Sequence, residues 1–251
     1  MWESAISDWP DTRGHRLLRT YGDELNARLA ELWLGQGPRP GRVLKTDLFD
    51  EAVGSGLVPC LQTLADDIQA IDVSEAVVDA AGRRYPDLEI EQADVRDLPF
   101  ADDSFDAVVS CSTLDHFGSL SELDAALGEL ARVLVPGGRL LITLDNASNP
   151  LVALRNAIPW RWLATIRLVP CYVGRTCGLA ALEARLDAVG LCVERTATLM
   201  HVPRVAVLGL GAVSATRPVH LDLLLAGERL GLYPTRRVTA QFIAALAVKR
   251  A

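Results

Sequence analysis

Between residues 12 and 34 the apolar positions fall at Leu17, Leu18, Tyr21, Leu25, Leu29, Leu32 and Trp33. Residues three and four apart share one helix face, so this spacing predicts a single long amphipathic helix. The stretch Gly35-Gln36-Gly37-Pro38-Arg39-Pro40-Gly41 ends it. From Arg42 the pattern changes to short apolar runs, each followed by a helical stretch, which is the rhythm of a parallel sheet with crossover helices. Strands are predicted at Val43–Phe49, Ile68–Asp72, Leu88–Gln92, Ala107–Cys111 and Arg139–Leu144. A Pro-interrupted apolar stretch then runs from Asn146 to Pro170. Beyond it the pattern predicts a helix at Leu179–Ala188 ending at Gly190, and strands at Leu191–Leu199 and Gln241–Val248. About 40 residues separate those last two strands. That is far more than a hairpin turn needs, so this excursion is expected to cover part of a site's mouth. The fold class expected from the pattern is α/β, doubly wound.

Composition narrows the picture. A 251-residue chain, 50% hydrophobic and 23% charged, is long enough for one packed α/β domain carrying a lid or an insertion. A net charge of −7 argues against nucleic acid as an obligatory partner, because phosphate binding needs a concentrated basic surface. One local basic segment lies between Ala147 and Leu182, where Arg155, Arg161, Arg167 and Arg175 occur without an acidic residue and Trp160 and Trp162 interleave with them. The five cysteines, at 60, 111, 171, 177 and 192, form no C-x-x-C pair and no zinc-ligand spacing, and they read as reduced thiols. No signal-like opening and no long unbroken apolar run is present, so a cytoplasmic protein without a membrane span is expected.

In an open parallel sheet the ligand sits beyond the carboxyl ends of the strands. The second strand ends Ile71-Asp72-Val73-Ser74, which places a carboxylate where it can accept from both hydroxyls of a ribose. Ala93-Asp94-Val95-Arg96-Asp97-Leu98-Pro99-Phe100 follows the third strand, and Ala101-Asp102-Asp103-Ser104-Phe105-Asp106-Ala107-Val108-Val109 leads into the fourth. Ala131-Arg132-Val133-Leu134-Val135-Pro136-Gly137-Gly138-Arg139-Leu140-Leu141-Ile142 leads into the fifth. Together these motifs, over roughly residues 68 to 145, resemble the class I S-adenosylmethionine-dependent methyltransferases. The resemblance implies a Rossmann-like, seven-stranded sheet, S-adenosylmethionine as cofactor with S-adenosylhomocysteine as product, and a small-molecule acceptor. Residues 1–40 would form an N-terminal helical lid, 41–146 the cofactor-binding core, and 147–251 an acceptor-side insertion after the fifth strand with the terminal strands, all in one domain. The resemblance also implies that Asp94 accepts from the adenine amino group and that the amide of Val95 contacts the ring. Asp72 and Val73 would hold the ribose side, with Cys111 and Ser112 nearby.

The first strand departs from the family's acid-and-glycines turn. Aligning Asp50 with the acid places Ala52, Gly54 and Gly56 at the glycine positions; aligning Lys45 instead places Asp47, Phe49 and Glu51 there. The loop carrying Asp47, Asp50, Glu51, Ala52, Gly54 and Gly56 is expected to hold the cofactor's amino-acid end. An acidic turn suits a ligand that carries an ammonium and no pyrophosphate, which ranks a nicotinamide-dependent oxidoreductase below a methyltransferase. A non-catalytic binding module on the same fold stays open.

Methyl transfer is an in-line displacement, so alignment supplies much of the catalysis and a base is optional. After the fourth strand, Leu114-Asp115-His116-Phe117 lies where the methyl group would project. His116 is the first candidate base and Asp115 the next. The alternative is that Asp115 caps the following helix while His116 packs under the lid. His201 and Tyr172 are weaker candidates. Asp145-Asn146 at the end of the fifth strand resembles part of the magnesium site of catechol-type O-methyltransferases, but Asp115 is not expected to converge with it, so no metal is assigned. The segment from Leu151 to Leu163 is too polar to span a bilayer. It could line a pocket for an apolar or anionic acceptor, or make a peripheral membrane contact through 151–169. Oligomeric state is not readable.

Overall fold

A computed structural model describes residues 11–158, 174–213 and 218–250. Helix α1 (Arg13–Leu34) is followed by β1 (Arg42–Lys45), α2 (Phe49–Val53), α3 (Val58–Leu64), β2 (Asp67–Asp72), α4 (Glu75–Arg84), β3 (Glu89–Gln92) and β4 (Phe105–Cys111). A 3₁₀ turn (Leu114–His116) leads to α5 (Leu120–Val133), β5 (Leu134–Asp145) and α6 (Pro150–Ala157). Then come α7 (Leu179–Ala188), β6 (Leu191–Leu199), α8 (Arg204–Val213), α9 (Pro218–Gly227), a 3₁₀ stretch (Glu228–Leu232), α10 (Arg236–Thr239) and β7 (Phe242–Lys249).

The seven strands make one sheet in the order β3-β2-β1-β4-β5-β7-β6. The first five are mutually parallel, and β7 runs antiparallel between β5 and β6. The Rossmann-like, doubly wound sheet expected from the sequence is therefore present, and the switch point lies between β1 and β4. One apolar layer packs α5 and α7 on β4, β5 and β7 through Leu123, Leu127, Leu130, Leu182 and Leu186. The opposite face is covered by the second half of α1 and by α3, through Leu29, Trp33, Leu34, Leu57 and Leu61. Leu32, which the spacing also placed on that face, is exposed.

The motifs of residues 97–105 and 131–134 are structural clamps. Arg132 Nη1 donates to the Phe100 carbonyl (2.7 Å) and Nη2 to the Leu98 carbonyl (3.0 Å), while Glu129 accepts from the Leu98 amide (2.9 Å). The loop before β4 is thereby tied to the end of α5.

The first strand differs from expectation. β1 stops at Lys45, opposite Ala70 and Val109, and Phe49 opens α2 instead of closing the strand. The Pro-interrupted stretch after Asn146 opens with α6, whose Asn149 caps it by accepting from the Leu151 amide (2.8 Å), with Pro150 in the first turn where its missing N–H costs nothing. The excursion between β6 and β7 forms α8, α9 and α10, and α8 and α9 pack on the first half of α1 around Leu18, Tyr21, Leu25, Met200, Val207 and Leu224. α1 and α8 approach to backbone contact. A Cβ on Gly14 would lie 2.6 Å from the Leu208 carbonyl oxygen, and one on Gly211 2.6 Å from the Gly14 Cα. Tyr21 closes this layer by donating to the Glu228 carboxylate, which also accepts from the Met200 (3.0 Å) and His201 (2.9 Å) amides.

Candidate active site

Two adjoining chambers open at the carboxyl ends of β1, β2, β4 and β5. The first lies under α1 and is lined by Asp23, Asp47, Asp50, Ser112, Asp115 and Asp145 among others. The second is lined by Asp72, Val73, Asp94, Val95 and Phe117 among others. Asp47, Phe49 and His116 border both.

In the second chamber, Asp72 ends β2 and is held by two backbone donors, the Leu48 amide on Oδ2 (3.0 Å) and the Ser74 amide on Oδ1 (2.9 Å). A carboxylate has about four acceptor positions, so both oxygens keep capacity for a ligand. Burial pushes the Asp72 carboxyl up, against those two hydrogen bonds. Val73 beside it is 49% exposed, an apolar surface left open within the chamber. Asp94 is engaged by its neighbour Arg96, whose Nε lies 2.9 Å from Oδ1 and Nη2 2.6 Å from Oδ2; this holds the Asp94 carboxyl below the usual range. Arg96 also bonds Glu122 and lies 5.2 Å over the Phe117 ring. Sequence reasoning passed over Arg96, although a cation two residues after the acid is within side-chain reach of it.

The turn after β1 resolves the two registers. Lys45 ends the strand, and its Nζ lies 2.9 Å from Glu51 Oε2, with both side chains buried. Glu51 Oε1 accepts from the Leu57 (2.7 Å) and Val58 (3.1 Å) amides at the start of α3. Glu51 is thus an internal ion-pair partner and helix cap. Ala52 packs in an apolar cluster with Leu48, Ala70, Val77 and Ala81. Glu51, Ala52, Gly54 and Gly56 line neither chamber, whereas Asp47 and Asp50 line the first. Gly56 is needed for a local reason: at φ +58° a Cβ would sit 2.3 Å from the Glu51 carboxylate.

Asp47, Asp50 and Asp23 of α1 crowd one another. Desolvation first, then the neighbouring carboxylates, push Asp47 and Asp50 up to about 7 and Asp23 up to about 8, with Lys45 opposing the shift. Asp23 was not foreseen, although Arg19, Asp23 and Asn26 recur at helical spacing and all three line the chamber.

After β4 the backbone turns through Ser112 at φ +53°, where the Ser112 amide bonds the Thr143 carbonyl (3.0 Å). Cys111 and Ser112 line the first chamber, and burial raises the Cys111 thiol to about 12. Asp115 does not cap α5. Ser119 does, in a reciprocal capping box with Glu122. The Asp115 carboxylate turns to β5 and accepts from the Asp145 amide through Oδ2 (3.0 Å). Asp115 and Asp145 thus do converge, contrary to expectation, because the 3₁₀ turn directs Asp115 back over the sheet. His116 Nε2 lies 3.7 Å from Asp115 Oδ1. Asp145 Oδ2 is held by Arg155 Nη2 at 2.5 Å, so this arginine points inward from α6 and not into solvent. Among the described residues no group of three or more His, Cys, Asp or Glu side chains forms a metal-holding cluster. His201 is a packed residue, with its ring nitrogens at 2.8 Å from Thr239 Oγ1 and 3.3 Å from Thr198 Oγ1, and it lines neither chamber. Tyr172, Trp160, Trp162, Arg161 and Arg167 lie outside the described residues. Cys60, Cys111, Cys177 and Cys192 are free thiols, and among the described residues no helix is long and apolar enough to cross a membrane.

Comparison with known proteins agrees with this geometry. A family profile described as a methyltransferase domain matches residues 49–142. A demethylmenaquinone methyltransferase of Paenarthrobacter aurescens is 37% identical over 146 residues, a match spanning 53% of this chain and 53% of that protein. The chain thus spans about half the length of this curated relative. The YcgJ protein of Bacillus subtilis superposes with TM-score 0.60 at 20% identity, covering 92% of this chain and 99% of that one. Geranyl diphosphate C-methyltransferase of Streptomyces coelicolor, solved with Mg²⁺, geranyl diphosphate and S-adenosyl-L-homocysteine, superposes with TM-score 0.59 at 15% identity, covering 90% and 79%. At those identities the structures speak to fold alone. Residues 49–142 thus match a methyltransferase domain, and the sheet order is that of the α/β Rossmann-like methyltransferase fold.

Proposed function

We propose that the chain is one methyltransferase domain that transfers the methyl group of S-adenosylmethionine to a small-molecule acceptor in the first chamber. The observation that carries this reading is the pair of chambers meeting at His116 and Phe49, with acids at or shortly beyond the strand ends that border them. The nucleoside would lie in the second chamber. Asp72 would accept from the ribose hydroxyls, Val73 and Val95 would flank the base, and Asp94 would share its oxygens between Arg96 and the adenine amino group.

The donor set fits the cofactor by charge. Its ammonium and sulfonium are cations, and Asp47, Asp50 and Asp23 are crowded carboxylates that a cation relieves. When bound, S-adenosylmethionine supplies an electrophilic methyl group. The chain's own residues orient the acceptor, exclude water under α1 and, at His116 backed by Asp115, receive the acceptor's proton. Because five aspartates and two arginines line the first chamber, its charge favours a neutral or cationic acceptor over an anionic one. The exposed Leu151 and Leu154 on α6 and Ile158 just after it support a peripheral membrane contact through 151–169; co-sedimentation with liposomes that is lost in a Leu151→Ser/Leu154→Ser double variant would bear this out.

The test is to incubate the protein with methyl-labelled S-adenosylmethionine and the small-molecule fraction of a bacterial extract. Label appearing in a small organic product, and absent with His116→Ala, is the expected result. Cofactor bound with no label transferred would favour the non-catalytic module instead, the reading kept open by Phe49 and Glu51 standing where the family has glycines.

A further inference from the structure

We propose that Asp115 and Asp145 form the recognition floor for the acceptor, and that the acceptor presents an amine there. This rests on the methyltransferase reading above. The two side chains come from different strand ends and are 3% and 4% exposed, yet both border the first chamber. Each spends one oxygen on the protein: Asp115 Oδ2 accepts from the Asp145 amide at 3.0 Å, and Asp145 Oδ2 from Arg155 at 2.5 Å. The other oxygen of each, Oδ1, is buried and has no hydrogen-bond partner among the described residues. The Asp115 oxygen has His116 Nε2 at 3.7 Å, beyond hydrogen-bond reach.

Buried carboxylate oxygens are ordinarily satisfied, so two orphans bordering one cavity mark a place where a donor belongs. Arg155 pairs with Asp145, and among the described residues no lysine or arginine forms an ion pair with Asp115. A carbonyl or carboxylate offers no donor, and a hydroxyl offers one without charge. An ammonium offers three donors and the missing charge. Asp47 and Asp50, which line the same chamber, are left for the cofactor. Sequence reading placed Asp115 as a base and set Asp145 in a metal context; the geometry makes them a pair for binding.

The experiment titrates protein saturated with S-adenosylhomocysteine with benzylamine, benzyl alcohol and benzoate, by calorimetry and thermal shift. Benzylamine is expected to bind at least tenfold more tightly than benzyl alcohol, with no binding of benzoate. In Asp145→Asn and in Asp115→Asn that preference should disappear, while affinity for S-adenosylhomocysteine stays within about twofold, which also shows that each variant is folded. Equal affinity for the three probes, binding of none, or a preference that survives in both variants would overturn the proposal. A magnesium titration runs alongside, and tight Mg²⁺ binding lost in Asp145→Asn would overturn it in favour of a metal floor. If S-adenosylhomocysteine itself fails to bind, the methyltransferase reading falls first and takes this one with it; a loss confined to the amine leaves that reading standing.

Discussion

Asp72 holds the Leu48 and Ser74 amides in place while keeping acceptor capacity toward the second chamber. Asp72→Asn retains the shape and removes the charge. It is expected to weaken S-adenosylmethionine binding about tenfold or more, a charge-assisted hydrogen bond being worth roughly 1.5–3 kcal/mol. Calorimetry reads this directly, and unchanged affinity would move the ribose elsewhere. Glu51 makes the opposite case, a carboxylate turned wholly inward. It pairs with Lys45 and caps α3, so Glu51→Ala leaves a buried ammonium unpaired and two amides without acceptors. Breaking a buried pair costs about 3–5 kcal/mol, and chemical denaturation should show a loss of that order. A loss under about 1 kcal/mol would mean that Lys45 finds another partner. Asp72 and Asp115 stood out in the sequence because each follows an apolar strand-length run, and Asp94 because of the motif around it. Glu51 could not, because an acid in a polar turn looks the same whether it faces a ligand or a lysine behind it.

At the level of elements, the helical layer over the first chamber depends on how closely α1 and α8 approach. Gly14 and Gly211 let the two backbones touch, and a Cβ at either meets main-chain atoms at 2.6 Å. Gly211→Ala is therefore expected to separate α8 from α1 and to lower the melting temperature by several degrees, an overpacking cost of about 1–3 kcal/mol. Limited proteolysis should then cut first within residues 200–241, and a protease pattern like the wild type's would argue that the helices slide without separating. The helical periodicity of α1 was readable because its apolar stripe is long. The end of β1 was not: Val43 and Leu44 and then Leu48 and Phe49 flank the polar Lys45-Thr46-Asp47, and only the strand pairing, which stops at Lys45, shows on which side the strand ends. The packing of α8 and α9 on α1 was also hidden, since apolar helices carry no mark of their partner, although the length of the excursion already indicated that it covers something.

For the whole molecule, charge in the first chamber couples the fold to pH and to its ligand. Asp47 and Asp50, pushed up to about 7, and Asp23, pushed up to about 8, hold protons in the folded state that an unfolded chain releases near pH 4. Carboxyls raised on folding contribute stability that is full below their unfolded values and is lost as pH rises through the folded ones. The ligand-free protein is therefore expected to lose melting temperature as pH rises from about 4 to about 8, and a cationic ligand should recover more of it at the upper end. A flat profile would show that Lys45 and Arg19 already neutralise the group. The most direct test of the central claim is calorimetric titration of the purified protein with S-adenosylmethionine, with NADH as the parallel control. The account predicts micromolar binding of S-adenosylmethionine, weakened by Asp72→Asn, and no binding of NADH. Binding of NADH, or no binding of S-adenosylmethionine to a folded sample, would contradict it.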